Sequence, residues 1–491
     1  MRKSDKMAKM VLWLFALTFG MHLQRSSALA ETKDFEVEVW TCHDQDLPSL
    51  ELEIAKQLQL KPSDSFQHYL YSYYLMRSFV VDPSDMRLLH KAVQMAEQSL
   101  ILDSKADWGY FIKAQLADVV GKSTEASQTL EDGFKVVGPN SWRLLFAKAR
   151  LASGAADFAS ESWKNHMNPY VLALRAPNAK VDILLPFALA VAKTTANSID
   201  EIFARLAYLG EYQEHPLILG AKAMLHTERK EYRQADALYE QLIAMKNEPE
   251  YLLNQGILRY KYLQRPMDAK LVLSRIAPSA PIFLRINQMF HLALIHTDLG
   301  ESHHAKRYLR LALHATANKE VLIDGYYQAL YGQNRKHELK ETLKAIIEEF
   351  PGIAKIHGAL GELYGEDPNE GLTSLQHFHN AILLEPDNSE FHIGKGLSYY
   401  KMGDYTQALA SFDRASELNP DDTTAIYNQA CMLSLLGKSE KALEKLEQAI
   451  RIAPEYAQKA AHDPDFSKLY GNHNFRDLVA DDGKLDQGLS H

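Results

Sequence analysis

The sequence predicts an all-α fold, an α-solenoid built of stacked antiparallel helix pairs. Three observations predict it. Residues 389–422 and 423–456 form two blocks of 34 residues that repeat one apolar pattern. The first carries Gly396, Tyr399, Gly403, Tyr405, Ala408, Phe412, Ala415 and Pro420. The second puts Ala430, Leu433, Gly437, Ala442, Leu446, Ala449 and Pro454 at matching places. The same period returns upstream, over 216–249, 250–283 and 286–319. Finally, 46 % of the 491 residues are hydrophobic, enough to bury a core over the whole length. A period of 34 in a helical sequence is the mark of helix–turn–helix units that bury their faces only against neighbours.

Taken in order, the chain opens with a basic stretch (Arg2, Lys3, Lys6, Lys9), a short apolar run over 10–21, and the small residues of Ala28-Leu29-Ala30. This pattern predicts a secretory signal peptide over 1–30, cleaved after Ala30. The run is well short of the ~20 apolar residues that span a bilayer, so no stable membrane insertion is expected after cleavage. Residues 31–65 read as an N-terminal arm and first helix, with Phe35 to Trp40 as a short strand or extended arm and 48–60 helical. Residues 66–215 read as divergent helical repeats. Helices are expected over 63–81 and 83–102, with Ala92 and Ala96 at their close contact. Residues 107–140 return to the period with Ala114, Gly121, Ala126 and Leu130.

Residues 141–215 fit least. Helices are expected over 141–153, 157–174, 181–194 and 199–209. Ser198 and Glu201 form a capping box, and Pro169, Pro177 and Pro186 are expected to interrupt the register. The regular array spans 216–456, with Ala223, Ala235 and Tyr239, then Ile257, Ala269 and Leu273, then Ala293, Gly300, Ala305 and Leu309. The block over 320–352 is poorer, and 354–388 carries Gly361, Tyr364, Phe378, Ala381 and Pro386. Residues 457–491 are a closing segment and tail, in which Phe466, Leu469, Phe475 and Leu478 cover the last apolar face. About 11 helix pairs follow from this partition.

These blocks resemble the tetratricopeptide repeat family, in an exported bacterial type with an end-of-array closing segment. In that family positions 8, 11, 20, 24, 27 and 32 carry small, large, Ala, aromatic or Leu, Ala and Pro; here they are Gly396, Tyr399, Ala408, Phe412, Ala415 and Pro420. The physical reasons are plain. Gly396 and Ala408 are small where two helices cross closely, and Tyr399 and Phe412 fill the space beside them. Gly403 stands at a turn that needs positive φ, and Pro420 stops the second helix. The resemblance implies a right-handed superhelix whose first helices line a concave side.

Composition excludes several functions. Without residues 1–30 the chain has 49 basic and 62 acidic side chains, a net charge of −13. Such a surface fits neither nucleic acid nor an anionic membrane. Cys42 and Cys431 are the only cysteines, too few and too distant for a disulfide scaffold. Gly121-Lys122-Ser123 and Gly437-Lys438-Ser439 lack the earlier glycine of a phosphate loop. Among 20 histidines, the close pairs His291/His296, His303/His304 and His377/His379 lack the spacing of ligands on one helix. No catalytic constellation, metal site or cofactor is expected, and the protein reads as no enzyme.

What remains is a surface. The resemblance places ligands at positions 2, 5, 9 and 12 of first helices. Here these give Tyr251, Asn254 and Leu258, then Phe290 and Leu294, Asp324 and Gln328, and Tyr427 with Cys431. A neutral lining of aromatic and amide groups suits a segment of another protein. The expected role is a periplasmic or secreted scaffold for protein–protein interaction. A module binding polysaccharide or peptide fragments beside an export machine is the alternative, motivated by the 24 tyrosines.

Overall fold

A computed structural model of the protein describes residues 36, 39–40, 47–155, 163–194, 196 and 198–480. The expected signal peptide lies outside the described residues. Among those described are 25 α-helices and no strand. No helix among them is long and apolar enough to cross a membrane. The chain divides into two compact units, residues 1–263 and 264–491. The division falls inside the stretch expected to be one regular array, next to the short helix Pro266–Leu273.

In the N-terminal unit, Leu47–Leu60 packs on Ser65–Val81, which pairs with Met86–Leu102. Four further pairs follow: Asp107–Val119 with Ser123–Val137, Trp142–Ala155 with Trp163–Arg175, Val181–Thr194 with Ile199–Tyr208, and Pro216–Glu228 with Tyr232–Met245. Pro249–Lys261 ends the unit. The C-terminal unit opens with Pro266–Leu273 and continues with five pairs. They are Ile282–Asp298 with Ser302–Ala315, Lys319–Tyr331 with Lys336–Ile347, Ala354–Tyr364 with Gly371–Leu384, Ser389–Lys401 with Tyr405–Leu418, and Thr423–Leu435 with Ser439–Ile452. Within each unit, first helices of neighbouring pairs lie side by side: Ser65–Val81, Asp107–Val119 and Trp142–Ala155 in one, and the four from Ile282–Asp298 to Ser389–Lys401 in the other.

The small residues act as expected. Ala92, Ala114, Ala126, Ala235, Ala408, Ala430 and Ala442 are fully buried where helices meet. A Cβ at Gly396 would sit 2.6 Å from Phe412 Cε1, so only hydrogen fits between the two helices. The turns repeat one backbone geometry. Gly121, Gly300, Gly403 and Gly437 have φ of 81°, 73°, 82° and 76°. Lys230, Gln264 and Asn334 hold the same place in their repeats with φ of 63°, 53° and 58°. Gly403 N donates to Tyr400 O at 2.9 Å and Asp404 N to Tyr399 O at 3.0 Å; Lys230 and Glu231 do the same to Thr227 O and His226 O at 3.0 and 2.8 Å. These bonds satisfy the last carbonyls of each first helix.

Two expectations need correction. Residues 36, 39 and 40 are helical, not extended. Glu36, Val39 and Trp40 are all buried. A helix puts i, i+3 and i+4 on one face, whereas a strand would turn neighbours 39 and 40 to opposite sides. Pro169 and Pro186 do not break the register; each sits inside a helix. A proline there costs about 3 kcal/mol, and the burial of Tyr170, Leu174, Leu184, Leu185 and Ala188 beside them offsets it. Ser198 Oγ accepts from Glu201 N at 3.1 Å, the serine half of the expected capping box, while Glu201 Oε1 accepts from Arg205 at 2.6 Å.

Candidate partner-binding surface

The residues expected to line a groove fall into two groups. Tyr251, Leu258, Leu294 and Tyr427 are buried, at 2–4 % exposure, and belong to the packing between helices rather than to an accessible lining. Cys431 is buried and free, and Cys42 lies outside the described residues. Asn254 and Gln328 are exposed, and Phe290 and Asp324 are half-buried. Position in the repeat sets the face, but the elements packed alongside decide burial, so Tyr427 is covered while the apolar Phe290 keeps exposure.

Tyr251 shows what burial does. Its phenol is pushed up to about 12 by desolvation first, then by Glu248 and Glu250. One turn on, Gln255 Nε2 donates to Asp236 Oδ1 at 2.8 Å and Arg259 Nε to the same oxygen at 2.7 Å. These bonds tie Pro249–Lys261 to the helix before it. Tyr427 is covered by the chain itself. Its hydroxyl donates to Asp463 Oδ2 at 2.7 Å, and its ring meets Phe466 at 5.8 Å and Tyr456 at 4.6 Å. Tyr400 donates to Asp465 Oδ1 at 2.9 Å, and Ser434 to Asp465 O at 2.7 Å. The 3₁₀ turn Pro464–Leu469 thus sits on the face where an outside ligand was expected. Phe466, Leu469 and Phe475 are buried in the core of the last repeat with Ala430, Leu446 and Ala449.

In the C-terminal unit the accessible part of the first-helix face runs through Phe290, Asp324 and Gln328 to groups that sequence reasoning missed. Lys355 Nζ lies 3.1 Å from Asp324 and 3.7 Å from Glu390, a chain of charge across three repeats. Tyr327 donates to Glu362, whose carboxyl burial pushes above its usual range. Val321 is 72 % exposed on the same helix as Asp324. Glu320 serves a structural end: its two oxygens accept from Ala354 N and Lys355 N, both at 3.1 Å, and cap the next repeat's first helix.

The turns also gather histidines that look scattered in the sequence. His296 Nδ1 meets Glu301, and His304 stacks on His296 at 5.1 Å, so the three could share an ion. Lys270 Nζ already donates to both oxygens of Glu301 at 2.9 and 2.8 Å. His226 repeats the clasp with Glu231 at 2.5 Å. Elsewhere, Cys431, Asp463 and Asp465 come together, and burial pushes the thiol up, so it stays protonated.

Comparison with known proteins identifies the repeating element. Residues 389–422 and 423–456 each match the tetratricopeptide repeat. Residues 389–456 thus carry two tetratricopeptide repeats. Superkiller complex protein 3 of Mus musculus is 24 % identical over 242 residues, covering 47 % of this chain and 15 % of that protein. Tetratricopeptide repeat protein 37 of Xenopus laevis is 35 % identical over 83 residues, 17 % of this chain and 5 % of the relative. Anaphase-promoting complex subunit 3 of Schizosaccharomyces pombe is 38 % identical over 81 residues, 16 % and 12 %. The chain thus spans at most 15 % of the length of these relatives. Among solved structures, MamA aligns over 35 % of this chain and 94 % of its own at 16 % identity and a TM-score of 0.29. The P58(IPK) repeat domain aligns over 78 % and 99 % at 13 % identity and a TM-score of 0.23. Tetratricopeptide repeats as a class mediate protein–protein interaction.

Proposed function

We propose that the protein is a non-enzymatic scaffold of the bacterial envelope that holds segments of partner proteins on the first-helix faces of its repeats. One observation carries the reading: in the C-terminal unit, adjacent first helices leave Phe290, Asp324 and Gln328 accessible beside the charges of Lys355 and Glu390. An aromatic anchor supplies desolvated area, and the amide and charged groups fix main-chain register. The envelope location is supported by the basic start, short apolar run and small residues of 1–30. In this reading the segment from Glu455 to Ala480 closes the array. The test of location is fractionation with N-terminal sequencing. A mature chain beginning at Glu31 in the periplasmic fraction supports it, and an intact Met1 in the cytoplasm overturns it. The test of the surface is affinity recovery of a partner that Gln328→Ala with Phe290→Ala loses while helicity is retained; unchanged recovery counts against it.

A further inference from the structure

We propose that the first-helix face of the N-terminal unit is a binding site for a helical peptide bearing a carboxylate and, four residues on, an aromatic ring, and that the chain's own Glu36, Val39 and Trp40 occupy it in cis. The inference rests on the reading of first-helix faces as partner surfaces. It goes further by naming the chemistry of the ligand.

The geometry is that of a ligand in a groove. Trp40 stacks on Tyr73 at 4.7 Å and 8° and on Phe111 at 5.2 Å. It also meets Trp142 at 6.2 Å, Phe146 at 5.6 Å and Phe187 edge-on at 6.4 Å. These five rings come from the first helices of four successive pairs and from none of the second helices. One inserted indole therefore spans four repeats, on the face that the proposed function gives to partner segments. Polar contacts fix its orientation. Trp40 Nε1 donates to Tyr69 Oη at 2.8 Å, and Tyr69 donates to Glu36 Oε1 at 2.9 Å. Arg143 NH2 reaches both oxygens of Glu36 at 2.6 and 2.7 Å, and Arg77 NH1 donates to Val39 O at 2.8 Å. Glu36 and Trp40 stand four apart on a helix, so one face presents both groups.

The charge complementarity is specific. The described part of the face offers a buried guanidinium, and the segment brings the matching carboxylate from outside the repeats. Arg143 also lies over the Trp142 ring at 4.5 Å and bonds Asp107 at 3.1 Å, so it stays oriented when Glu36 leaves. An aromatic-lined face with a preset cation would then be open to a competing segment of the same pattern. Because the native segment is tethered, its effective concentration is high and an outside peptide binds the intact chain weakly.

The experiment uses the full-length protein and a fluorescein-labelled peptide of residues 31–46 with Cys42→Ser. A Glu36→Gln, Trp40→Ala variant should bind the peptide at least about tenfold more tightly than the wild-type chain does. A peptide carrying Trp40→Ala should not bind. Equal binding to both proteins, or none to a variant of wild-type helicity, overturns the proposal. Should that variant unfold, hydrogen exchange on the wild-type chain decides. Saturating unlabelled peptide should raise exchange across residues 31–46, and unchanged exchange overturns it. Failure here leaves recovery through Gln328 in the other unit untouched, so the two readings fall separately.

Discussion

Gly403 and Lys230 hold the same left-handed backbone at the same turn, at different energies. A Cβ at Gly403 would meet nothing within 4 Å, so a substitution there feels backbone strain alone. Gly403→Ala should therefore cost ~1–2 kcal/mol, read as a lower denaturant midpoint. The reverse change, Lys230→Gly, removes that strain and adds chain entropy to the unfolded state, for a net gain of roughly 0.5 kcal/mol. The glycine turns were legible because glycine marks positive φ. The turn at Lys230 was not, because only the fold imposes it there. Arg143 makes the same point about charge. Burial opposes its positive form, yet Tyr69, Glu36 and Asp107 outweigh that and hold it charged above its ordinary range. Arg143→Ala leaves Glu36 buried without its cation and should cost about 3–5 kcal/mol. Chemical denaturation followed by Trp fluorescence checks it. No periodicity links residue 36 to residue 143, so this pair was invisible in the sequence.

Between elements, the pair His357 and His377 joins helices Ala354–Tyr364 and Gly371–Leu384, with Nδ1 to Nδ1 at 3.2 Å. His357 Nε2 faces Pro351 O at 3.2 Å and must donate there, so its Nδ1 accepts and His377 donates. His377 also stacks on Tyr364 at 5.3 Å. Burial, then His357 and Lys340, push His377 down to about 4. Burial also lowers His357. Both folded values lie below the ordinary value of about 6.5. The unfolded chain therefore takes up protons first as pH falls. The stabilisation is fully present above pH ~6.5 and is lost progressively toward pH ~4. Denaturant midpoints for the C-terminal unit should drop over this range, and His377→Gln should flatten the drop. At the array's end, Phe466 is fully buried against the last repeat. Phe466→Ala should destabilise by ~3–5 kcal/mol, seen by calorimetry. That burial was legible, because a final repeat without a successor needs apolar cover. The cost to the groove was not, since the same turn also covers Tyr427.

For the whole chain, the all-α architecture was legible from a period of 34 and from small residues at fixed places. The division at residues 263 and 264 was not, because the pattern runs on through it. The candidate surface was legible only in part. Position in a repeat predicts which face a residue belongs to, but burial depends on the neighbour's side chains. Asn254, Phe290, Asp324 and Gln328 kept some exposure, while Tyr251, Leu258, Leu294 and Tyr427 were absorbed by packing. The central claim is that partner segments lie on first-helix faces. A photo-crosslinking amino acid placed in living cells tests it most directly, at Gln328 on a first helix and at Lys344 on the exposed side of its second helix. The account predicts a discrete adduct with one partner protein from position 328, none from 344, and loss of the adduct with Phe290→Ala. No adduct from 328, or the same adduct from both positions, would contradict it.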